Sequence, residues 1–96
     1  MIRKRSIIIL PLDLILDRKV SSNAKIVYAV LKSFSVEKPK PGNRLFVRVA
    51  QRDVMEKCGL SRHTVTKALK ALKRAGWVRP EKIWGSANEY AFTSPV

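Results

Sequence analysis

Between Ser61 and Arg74 the chain places Arg62, His63, Lys67, Lys70, Lys73 and Arg74 among hydroxyl residues, with no aspartate or glutamate in the run. Cations at that density suit a polyanion. Ammonium and guanidinium groups neutralise phosphates, and a guanidinium can donate two hydrogen bonds to one guanine. Catalysis asks for a nucleophile, a base or a metal site held in mutual reach. His63 is the only histidine and has no carboxylate partner along its own segment. The acids are few and scattered, and Gly85 stands alone rather than in a phosphate-cradling run. These residues predict no catalytic residue, no metal site and no cofactor, and therefore a protein that is not an enzyme.

A net charge of +13 and a pI near 10.7 extend the same argument to the whole chain, since both halves are basic. Such a field favours DNA, RNA or an anionic membrane. The apolar run Ile7–Leu16 is broken by Pro11 and Asp13 and is too short to span a bilayer. It also lacks the small-residue cleavage pattern of a signal peptide. Cys58 is the only cysteine, which rules out a disulfide framework or a zinc spacing. The expectation is a cytoplasmic protein without a membrane partner. At 96 residues it is expected to form one domain, 1–96, with Met1–Arg5 as a flexible basic arm.

Periodicity supplies the elements. Ser6–Leu10 has the β-branched character of a short strand, and Pro11 suits the start of a helical turn in which Leu12, Ile15 and Leu16 bury one face. Ala24, Val27, Val30 or Leu31, and Phe34 repeat on one face of a helix from about Asn23 to Phe34. Glu37–Arg44 is a loop, and Leu45–Val49 a short strand. A helix over Gln51–Cys58 follows, although Ala50 gives it no hydroxyl cap. Gly59 then turns the chain. Ser61 caps a second helix whose stripe is Val65, Leu69 and Leu72 with Ala68 and Ala71, and Gly76 stops it. Beyond Gly76 the period changes to two. Trp77–Ile83 and Asn88–Thr93 read as a hairpin turning near Gly85–Ala87, with a bulge or unpaired stretch at Pro80. The predicted core is Val27, Leu31, Phe34, Val54, Val65, Leu69, Leu72, Tyr90 and Phe92.

Helix, tight glycine turn and cationic second helix make a helix-turn-helix signature. The full order resembles the winged helix: an α+β, mainly α fold with a three-helix core and a C-terminal β-hairpin wing. V-S-S-N-A-K-I-V-Y-A-V-L around Ser21–Leu31 is similar to the opening helix of the N-terminal helix-turn-helix domains of plasmid and phage replication proteins. G-L-S-R-H-T-V-T-K-A-L-K-A-L-K-R-A-G-W-V resembles the recognition helix and first wing strand, and N-E-Y-A-F the second wing strand. Those replication proteins usually continue into further domains, so a complete initiator activity is not expected of these 96 residues.

On this reading the second helix enters the major groove of duplex DNA. Arg62, His63, Thr66 and Lys67 are candidates for base edges, and Ser61, Thr64, Lys70 and Lys73 for phosphates. Packing between helices is an equal reading for Thr64. Arg79 and Lys82 of the wing would lie along the backbone or an adjoining minor groove, and Trp84 near its tip could meet DNA, the wing stem or a second subunit. A homodimer is expected because one small domain reads few base pairs, with Ile7–Leu16 as the apolar contact candidate. The function expected is a DNA-binding transcription regulator of a cell or mobile element. Origin binding in plasmid or phage replication, or binding of RNA or the ribosome, stays open.

Overall fold

The computed structural model describes residues 10–34, 46–84 and 87–94, leaving aside the side chains of Phe46, Lys82, Ile83, Trp84 and Ala87. The expected arm at Met1–Arg5, the strand at Ser6–Leu10 apart from Leu10, the loop Glu37–Arg44 and the hairpin tip at Gly85–Ser86 lie outside the described residues.

The elements follow in the order α1 (Leu12–Leu16), α2 (Ser22–Ser33), β1 (Phe46–Ala50), α3 (Gln51–Cys58), α4 (Arg62–Ala75), β2 (Val78–Trp84) and β3 (Ala87–Phe92). Local chemistry sets their ends. The Ser21 hydroxyl accepts from the Ala24 amide at 3.2 Å and opens α2. Gly59, at φ 69°, closes α3 with its amide on the Met55 carbonyl at 2.8 Å. Gly76, at φ 88°, closes α4, and the Trp77 amide turns back onto the Leu72 carbonyl at 2.9 Å. Both glycines sit where a side chain would strain the backbone. Ala50 precedes α3 and offers its amides no side-chain cap.

The three strands form an antiparallel sheet in the order β1-β3-β2. Pro80 faces Tyr90 and Lys82 faces Glu89, so Glu81 is the extra residue of a bulge beside the proline. The core joins Val27 and Leu31 of α2, Val54 of α3, Val65, Ala68 and Leu72 of α4, and Val47, Val78 and Tyr90 of the sheet. Tyr28, also buried, meets Trp77 and Phe92 edge-on with ring centroids at 6.4 and 5.4 Å. Lys32 lies over the Phe92 ring at 4.9 Å, and burial pulls its pKa below the usual lysine value.

Two expected buried faces differ. Leu12, Ile15 and Leu16 are exposed, and Leu14 is the residue of α1 that is fully buried. A helix of five residues docks through one side chain, and its spacing pattern is too short to set the orientation. On α4 the buried line runs Val65–Ala68–Leu72, while Leu69 is half-buried at its edge. α2 packs on α4, and the buried line of α4 passes through the small Ala68 rather than through Leu69.

Candidate nucleic-acid interface

The outer face of α4 is built from its cap outward. The Ser61 hydroxyl accepts from the Thr64 amide at 3.2 Å and lies 3.0 Å from the Thr64 hydroxyl. Ser61 therefore opens the helix, and Thr64, half-buried, works with it. Arg62, His63, Lys67, Lys70, Lys73 and Arg74 all stand exposed on the side away from the core. Among the described residues none of these side chains has an ion-pair partner. α4 itself carries no acid, and its own carbonyl end is matched by Lys73 and Arg74 in the last turn.

Each flank of that face is a shallow cleft. On one side α4 meets the β1–α3 junction and the wing, in a cleft lined by Gln51, Thr66, Leu69, Lys70, Lys73, Pro80 and Tyr90. Here the Gln51 amide donates to the Thr66 hydroxyl at 2.6 Å. Thr66, expected at base edges, is half-buried and tied to α3, with its own hydroxyl proton left to direct. On the other side α4 meets the segment before α2, in a cleft that includes Lys19, Asn23, His63 and Lys67. The structure thus gathers Arg62, His63, Thr66, Lys67, Lys70 and Lys73 on one surface.

The wing cations are placed differently. Arg79 is exposed and donates to Glu81 at 3.1 Å. The register puts Lys82 across from Glu89, and nothing is described of its side chain or of Trp84. Glu89 is buried at 2% exposure and pairs with Arg48 of β1 at 3.7 Å.

Sequence reasoning passed over the residues that hold the surface in place. Gln51 and Lys19 read as ordinary polar positions until the fold sets them beside α4. Asp17 follows the apolar run with nothing in sequence to mark it, yet it accepts the Trp77 indole N–H at 3.0 Å and the Lys19 amide at 2.9 Å. The indole bond, then the amide, holds the Asp17 carboxyl below the usual carboxylate value. The Thr93 hydroxyl donates to the Gly76 carbonyl at 2.6 Å and its amide to the Trp77 carbonyl at 2.9 Å, which fixes the wing root to the end of α4. Among the described residues no group of His, Cys, Asp and Glu could hold a metal ion, and no helix is long and apolar enough to cross a membrane.

Three packed helices, a glycine turn between the last two, and a hairpin pinned to the end of the third define a winged helix. A family of helix-turn-helix domains matches residues 20–78, more than half of the chain. The protein belongs to that family of DNA-binding domains. The match stops as β2 begins, so the wing is a feature of the structure rather than of the family match. No curated protein and no solved structure matches the chain.

Proposed function

We propose that the protein binds duplex DNA with α4 in the major groove and acts as a transcription regulator of a cell or mobile element, by binding and not by catalysis. The supporting observation is the α4 face, where exposed cations crowd together without an acid partner. Holding like charges together is unfavourable in the free protein, and a phosphate backbone relieves it with release of counterions. The N-terminal turn, with Arg62 and His63, approaches base edges, while Lys70 and Lys73 lie further along, toward the strands. Ser61 and Thr64 serve this reading through the cap they form, and Arg79 and Lys82 through the wing.

The acting form on this proposal is a cytoplasmic homodimer. Leu12 and Leu16, about two-thirds exposed at 66% and 65%, with Ile15 and Ile26, are the apolar surface that favours it. Gel shifts over a salt series test the proposal, with duplex DNA and structured RNA as competitors. Duplex binding should weaken with salt, the log–log slope growing by about 0.9 per phosphate neutralised. Retention of RNA with no duplex binding at low salt would transfer the protein to RNA. Sedimentation of the complex gives its subunit count.

A further inference from the structure

A helix seated in the major groove has a sugar–phosphate strand on either side of it, because the groove is only about 12 Å wide. One strand would run along the α3 and wing flank, past Lys70 and Lys73. The opposite flank is the cleft between α4 and the turn leading into α2, lined by Lys19, Ser21, Asn23, His63, Thr64 and Lys67. No acid lines it. The Ser21 and Thr64 hydroxyls are occupied with helix caps. Lys19, Asn23, His63 and Lys67 have no side-chain hydrogen bond or ion pair among the described residues. Asp17 is the acid nearest in sequence. It lines the neighbouring hollow with Lys19, Ala71 and Arg74, close enough for the Lys19 charge to help hold its pKa down. It makes no ion pair with Lys19, and both of its carboxylate oxygens already accept hydrogen bonds, from the Lys19 amide and the Trp77 indole.

We infer that this cleft is a second backbone site, in which Lys19 and Asn23, with Lys67 from α4, hold a phosphodiester of the strand opposite the wing. Lys19 supplies the charge and Asn23 a neutral donor, contributed by a segment outside the helix-turn-helix itself. The site contacts no base, so it sets how α4 is seated and adds affinity without sequence preference. The inference rests on the major-groove reading proposed above.

The test is phosphate-ethylation interference and a salt series on a bound duplex, with wild type, Lys19→Ala, Lys19→Arg and Asn23→Ala. Lys19 is exposed, and only its backbone amide bonds Asp17, so thermal melts of these variants should superimpose. Lys19→Ala should lower the salt slope by about 0.9 on every sequence tried. It should also erase interference at phosphates on one strand of each half-site, and leave the base preference unchanged. Asn23→Ala should weaken the same phosphates with no change in slope, and Lys19→Arg should restore the wild-type pattern. If the wild type and Lys19→Ala give the same slope and the same interference pattern while Lys70→Ala weakens binding, the second site does not exist and the major-groove reading stands. If no variant of α4 alters duplex binding, both fall together.

Discussion

The α4 face and the β2–β3 wing carry the same kinds of residue and differ in what stands beside them. On α4 the basic side chains are exposed and lack acids among the described residues, whereas the wing sets Arg79 against Glu81. The Arg79 charge of the sheet is partly neutralised within the protein, and the charges of α4 are not. An exposed pair such as Arg79–Glu81 is worth only about 0–1 kcal/mol to the fold. It still matters for binding, because a phosphate must compete with a carboxylate for that guanidinium. The difference teaches that counting basic residues overstates the wing. Charge is best weighed together with the acid nearest to it.

The largest effect expected is on the apolar support of α4. Leu72 is fully buried, so Leu72→Ala should cost about 2–5 kcal/mol in urea melts. Leu69 is half-buried beside the Thr66 cleft, so Leu69→Ala should cost about half as much or less. Equal costs would mean the helix is rotated from the position described, with Lys70 and Lys73 drawn toward the core. Next in size is sequence reading. Arg62→Ala should lose about 1–3 kcal/mol on the preferred site and relax one base pair, while Lys70→Ala should weaken all duplexes alike and lower the salt slope by about one unit. Site selection from random duplexes checks this, and a blurred motif from Lys70→Ala would reverse the orientation of the helix in the groove. The smallest effect belongs to the wing. Arg79→Ala should change the slope by less than about half a unit, and Glu81→Gln should raise affinity slightly by releasing Arg79. A full unit lost in Arg79→Ala would place the wing on an equal footing with α4.

Much of this was legible because it is local. Ser61 and Gly76 bracket α4 with a cap and a left-handed stop, and the structure begins and ends the helix at those residues. Pro80 forecast the bulge because a missing N–H acts wherever the strand pairs. What stayed hidden depends on partners far along the chain. Nothing near Asp17 announces Trp77, and nothing near Gln51 announces Thr66. The burial of Ala68 rather than Leu69 is likewise a matter of how α4 is rotated against its neighbours, which a stripe of apolar residues does not specify. Lys19 is the clearest case: in the sequence it is one lysine of a basic chain, and in the fold it lines a cleft with His63 and Lys67 of α4.

The strand order has a consequence for the way the chain is made. β3 lies between β1 and β2, so the last strand in sequence is the one that both earlier strands need. A ribosome that has released β1 and β2 has produced two strands with no common neighbour and no sheet. Until β3 emerges, the helices alone among the described elements can assemble, and the open strand edges are available to other nascent chains. The sheet is therefore completed only after α4 has already been synthesised.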